Sequence, residues 1–142
     1  MDYRTNRPHY TELILHYKII DMTTQEVASR YYELSKQNKG AEIWDELYAP
    51  DVVNKEPEHA LAIGIPTTTK GMDAIRAKAA ARRETIQEIH AGTCSEPLVA
   101  GNFFSVVLTR DVTFKGKPRV TLIEIGVFEV KNDKIVLEQF FY

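Results

Sequence analysis

Cysteine is nearly absent. Cys94 is the one cysteine in 142 residues, so no disulfide can close within the chain, which fits a reducing, cytoplasmic compartment. A lone cysteine with no base near it in sequence reads as a small packed strand residue. Long apolar runs are also missing. The best stretch joins Leu13-Ile14-Leu15 to Ile19-Ile20 and is broken by His16, Tyr17 and Lys18. It is too short and polar to cross a bilayer and has no small-residue cleavage pattern, so neither a membrane span nor a secretory signal is expected. Neither sign of charge dominates: 18 Lys and Arg stand against 20 Asp and Glu, a net charge of −2. The only basic cluster, Arg76, Lys78, Arg82 and Arg83, falls on a predicted helix and reads as a solvated face, so nucleic acid is not an expected partner. Glycines are few, and Gly40, Gly64 and Gly71 stand alone. No phosphate-cradling loop follows from them, and no His, Cys and carboxylate set has the spacing of a zinc or iron site. No metal, nucleotide or other cofactor is expected.

What is present is strong periodicity. Thr23-Thr24-Gln25-Glu26 is a capping-box pattern, and Val27, Ala28, Tyr31 and Leu34 follow at helical spacing. The domain proper is therefore expected to run over residues 22–142, with residues 1–21 as an N-terminal extension. A second helix carries Ile43, Trp44, Leu47 and Tyr48 and must end before Pro50. Asp51 to Glu56 reads as a strand, residues 57–70 as a long connection, and Gly71 to Arg83 as a third helix with Met72, Ile75 and Ala79 on one side. Strands follow over Ile86–Ser95, Phe103–Phe114, Val120–Val130 and Ile135–Tyr142, and Asn132-Asp133 is a tight-hairpin signal. The fold class is α+β, with three helices on one face of a curved antiparallel sheet.

Three stretches carry a family resemblance. "IGVFEVKNDKIVLEQFFY" resembles the closing hairpin of the nuclear-transport-factor-2-like superfamily, and of the SnoaL-like domains within it. "KGMDAIRAK" resembles that group's Gly-led third helix, and "LYAPDVVNKEP" its second helix and first strand. The resemblance covers about residues 23–142. It implies a cone whose sheet and helices enclose a pocket for a small molecule, and a homodimer paired through the sheet's outer face. It leaves two functions open: cofactor-free proton transfer of isomerase or cyclase type on an apolar or carbonyl-containing ligand, or a non-catalytic ligand-binding or dimerisation module.

Within that superfamily, the stretch from Tyr32 to Pro57 is similar to ketosteroid isomerases without a gap. The resemblance implies Glu56 as general base and Tyr32 as oxyanion donor, although helical spacing centres the apolar stripe on Tyr31. The isomerase's third group falls near Ile123, which cannot donate a hydrogen bond. Glu56 is otherwise a solvated strand-end charge. As a walled base it is expected to have a raised pKa.

A plain two-residue turn puts Ile123, Ile125, Val127, Glu138, Phe140 and Tyr142 on one sheet face. It puts Leu122, Glu124, Gly126, Phe128, Leu137, Gln139 and Phe141 on the other. The resemblance turns the Tyr142 face inward, so Glu138 becomes an inward carboxylate that must be paired or protonated. One β-bulge would reverse the placement of Glu124. Arg110 either pairs with Glu138 or Glu56 as a polar anchor or reaches solvent. His90 is either a proton shuttle or a structural histidine. Trp44 and Tyr48 are either helix core or ligand platforms. The catalytic candidates are thus Glu56, Tyr32 and Glu138. The substrate-binding candidates are Tyr31, Trp44, Tyr48, His90, Arg110, Phe140 and Tyr142.

Overall fold

Thr23 opens the first helix as expected. Its hydroxyl accepts from the Glu26 amide at 3.2 Å, and the Glu26 carboxylate accepts from the Thr23 amide at 2.7 Å. The computed structural model describes residues 22–142, and the expected extension over residues 1–21 lies outside the described residues. The elements are α1 (Thr24–Lys36), α2 (Gly40–Leu47), β1 (Tyr48–Lys55), a 3-10 turn (Glu58–Ile63), β2 (Thr68–Lys70), α3 (Met72–Glu84), β3 (Ile86–Cys94), β4 (Leu98–Ala100), β5 (Phe103–Phe114), β6 (Arg119–Lys131) and β7 (Lys134–Phe141). Two short strands, β2 and β4, were not foreseen, because three-residue strands carry no measurable alternation.

The seven strands form one curved sheet in the order β2-β1-β7-β6-β5-β3, with β4 on β5. The sheet is mixed rather than purely antiparallel. β1 lies parallel to β7, setting Asn54 beside Glu138, while the other pairs are antiparallel. The helices pack on the concave face. Val27, Tyr31 and Leu34 of α1, Ile43 and Leu47 of α2 and Ile75 of α3 meet Phe104, Val106, Phe128 and Ile135 of the sheet. Tyr31 packs against Phe104 and Phe128, whose rings stack at 4.7 Å. These side chains fill the space between the helices and the sheet.

Asn132 and Asp133 both adopt positive φ, 48° and 62°, as a type I′ turn requires. Lys131 then faces Lys134, and Val130 faces Ile135. The next pair is Glu129 with Leu137, so Val136 is an extra residue. This bulge overturns the parity expected from the turn alone. Glu138 lies opposite Phe128, and Phe140 opposite Gly126. The inward set is therefore Glu124, Gly126, Phe128, Glu138, Phe140 and Tyr142. Ile123, Ile125, Val127, Leu137 and Phe141 form the outer face. Phe128, expected outside, is fully buried.

Candidate functional site

Asn54, near the end of β1, is 1 % exposed and must satisfy its amide within the protein. It does so between two carboxylates and one ammonium. Its Nδ2 donates to Glu138 Oε1 at 2.9 Å and, more weakly, to Glu56 Oε1 at 3.4 Å. Its Oδ1 accepts from Lys78 Nζ. The same ammonium donates to Glu56 Oε1 at 2.8 Å. Tyr48, where α2 passes into β1, donates its buried hydroxyl to Glu138 Oε2. At the other end of the chain of contacts, the Tyr142 hydroxyl donates to Glu56 Oε2 at 3.2 Å. The His59 ring meets the Tyr142 ring edge-on at 5.1 Å.

The two oxygens of Glu56 are therefore unequal. Oε1 is fixed by Lys78 and Asn54, whereas among the described residues Oε2 meets one long hydrogen bond, from a half-exposed tyrosine. A base needs one such accessible lone pair on an otherwise positioned carboxylate.

Glu138 stands behind this arrangement. Burial pushes its carboxyl up, the Tyr48 and Asn54 hydrogen bonds and the Lys78 charge pull it down, and the Glu56 charge adds to the rise; the net direction is upward. Glu124 on β6 is raised as well, first by burial. Arg110 opposes the rise, while Glu56 and Glu138 add to it. Glu124 and Glu138 thus share the concave face with Glu56. Tyr31 and Tyr48 are both raised, chiefly by burial and then by Glu138. Tyr142 is pushed up to about 12, by burial first and then by the Glu56 charge.

The candidates named from sequence divide accordingly. Glu56, Glu138, Tyr48 and Tyr142 are joined by hydrogen bonds through Asn54 and Lys78. Tyr31 faces them across the core, and its hydroxyl makes no hydrogen bond among the described residues. Phe140 packs edge-on against Phe128. Tyr32 is not brought in: its ring lies under the Lys36 ammonium at 4.3 Å, on a different side of α1 from buried Tyr31. Trp44 packs against the core beneath Arg76. His90 is turned to the outer face, with Nε2 2.8 Å from Thr113 Oγ1. Arg110 pairs with neither Glu138 nor Glu56, because Lys78 occupies that role. Asn54, Lys78 and His59 were missed. A signal for Lys78 was present, since Ile75, Lys78 and Arg82 recur at i, i+3 and i+7 and share the buried side of α3. Reading the four basic residues of α3 as one solvated face was wrong for Lys78 and Arg82.

No group of His, Cys, Asp and Glu able to hold a metal occurs among the described residues, and no described helix is long and apolar enough to cross a membrane. Two surface hollows, about 400 and 250 Å³, lie between the start of α1 and the 131–133 turn and beside β4. Neither touches this cluster.

The profile of the SnoaL-like domain family matches residues 22–142. A Mesorhizobium loti protein described as a SnoaL-like polyketide cyclase is 34% identical, with a TM-score of 0.78 over 85% of this chain and 100% of that one. A nuclear-transport-factor-2-like protein of Burkholderia pseudomallei is 24% identical, with a TM-score of 0.69 over 85% and 92%. A Catenulispora acidiphila protein with a ketosteroid-isomerase-like fold, solved with trimethylamine, is 19% identical, with a TM-score of 0.63 over 84% and 87%. The latter two likenesses show the fold alone. Among curated proteins none matches the chain.

Proposed function

Because the chain belongs to the SnoaL-like domain family, we propose that it binds a small carbonyl-containing molecule at the mouth of its cone and moves a proton on it with its own side chains. Glu56 is the base. The observation that carries this reading is the inequality of its oxygens, Oε1 held by Lys78 at 2.8 Å and Oε2 left to the long Tyr142 contact. In the step, Oε2 takes a proton from the carbon next to the carbonyl. The C–H electron pair moves into the enolate, and the carbonyl oxygen gathers the negative charge. Tyr31, with no hydrogen-bond acceptor among the described residues, is the candidate donor to that oxygen. Glu138 is a positioning residue that acts through Asn54. Its rise in pKa suits a group that holds a proton in a dry site rather than one that exchanges it with substrate.

The test is α-proton exchange of 1-tetralone in deuterium oxide, followed by proton NMR. Wild type is expected to accelerate it, and Glu56→Gln, which keeps size but removes the basic oxygen, to lower the rate about 10²-fold or more. Equal exchange by the two proteins removes Glu56 as base. The second reading, a ligand-binding or dimerisation module, draws on the side chains packed between helices and sheet and is the one that such equality would leave. In either reading the partner is a second copy of the chain, paired through the outer sheet face.

A further inference from the structure

Two guanidinium groups at the mouth of the cone have no anionic partner among the described residues. Arg82 lies one helical turn beyond Lys78 on α3, and its guanidinium sits over the Phe114 ring at 4.5 Å. Arg110 lies opposite Leu122, diagonal to Glu124 on the same sheet face, because Leu108 is the residue opposite Glu124. Phe114 and Arg110 have the same parity on β5, so both arginines address the concave face at its open end. Among the described residues neither guanidinium makes an ion pair or a hydrogen bond. This sets them apart from Lys78, which is committed to Glu56 and Asn54, from Arg76 on Asp45 and from Arg30 on Glu46.

Glu124 is a counter-charge common to the two. Both arginines act on it through space, but it is not bonded to either. Half-buried beside Glu56 and Glu138, it is itself pushed toward the neutral acid. The mouth therefore carries planar donor forks facing an apolar floor that includes the Phe114 ring and Leu122. Guanidinium matches carboxylate in geometry and can bind it bidentately.

We infer that Arg82 and Arg110 form an anion seat at the mouth of the cone, and that the molecule taken there is an organic carboxylate with an apolar body. This inference rests on the reading of the mouth as a small-molecule site. It adds an orientation: the carboxylate lies on the α3 and β5 side and the apolar body extends toward Glu56 and Tyr142.

The experiment compares 2-naphthoate with its neutral isostere 2-naphthamide, titrated into the full chain and read by chemical-shift changes. Naphthoate is expected to bind about tenfold more tightly than the amide, and Arg82→Gln and Arg110→Gln are each expected to remove most of that preference. Arg110→Lys, which keeps the charge and loses the fork, is expected to keep part of it, and circular dichroism checks that each variant is folded. Equal affinity for acid and amide overturns the anion seat and leaves the small-molecule reading standing. Loss of binding to both probes, or an acid preference that both arginine variants retain, overturns the seat outright.

Discussion

Glu138 couples the stability of the fold to pH. It is 5 % exposed, and burial raises its pKa more than its hydrogen bonds and Lys78 lower it. The folded chain therefore holds this proton more tightly than the unfolded chain does. The stabilising contribution is complete below the ordinary carboxylate range and is lost as pH rises through the raised folded value. Glu124 acts in the same direction. Glu46 and Asp111, lowered by Arg30 and Arg119, act in the opposite direction, and their contribution fades as pH falls. Both are exposed pairs and weigh little. In Glu138→Gln the amide oxygen still accepts from Asn54, and the amide nitrogen can donate to the Tyr48 oxygen. Urea denaturation between about pH 5 and pH 8 is expected to show wild type losing stability relative to the variant as pH rises. Parallel curves would mean that Glu138 is ionised throughout and fully compensated by its partners.

At the scale of elements, the closing hairpin shows what a sequence reveals and what it hides. The turn was legible, because Asn132-Asp133 favours the positive φ that a two-residue connection needs. The bulge was not, because Val136 differs in no way from a regular strand residue, and one extra residue inverts the face of everything beyond it. The helix start at Thr23 was legible through its reciprocal side-chain bonds, and Glu56 and Glu138 were named as inward carboxylates. Their connection was not legible, since the parallel pairing that brings Asn54 to Glu138 joins residues far apart in sequence.

The same bulge explains Gly126. A Cβ there would lie 2.9 Å from two ring atoms of buried Phe128 and 3.2 Å from Phe140. Phe128 reaches this position from two residues along the same strand, and the shifted register sets Phe140 opposite Gly126. Gly126→Ala is expected to lose about 1–3 kcal/mol of stability in urea denaturation. A loss within about 0.5 kcal/mol would show that the rings can move aside at little cost.

For the whole molecule, the inverted parity also redraws the surface that a second copy would cover. The outer face exposes Val107, Ile123, Ile125 and Phe141, at 41 %, 62 %, 47 % and 49 % of their areas. The register of β5, β6 and β7 sets Val107, Ile125 and Phe141 in one row, with Ile123 on the same face of β6. Contiguous apolar side chains on a sheet face are a candidate interface, and pairing two such faces would remove them from water. Phe128 has no part in it, since it faces the core. Ile125 is the most informative position to change: it is central in the row, it is exposed, and its neighbour Gly126 already bears the packing load of the inner face. Sedimentation velocity at high micromolar concentration is expected to give a dimer for wild type. Ile125→Asp is expected to give a monomer with unchanged circular dichroism, because two carboxylates brought together at a desolvated centre repel each other and lose their hydration. A wild-type monomer at that concentration would leave the apolar row without a second copy as its partner. A dimer that survives Ile125→Asp would move the contact to another surface of the chain.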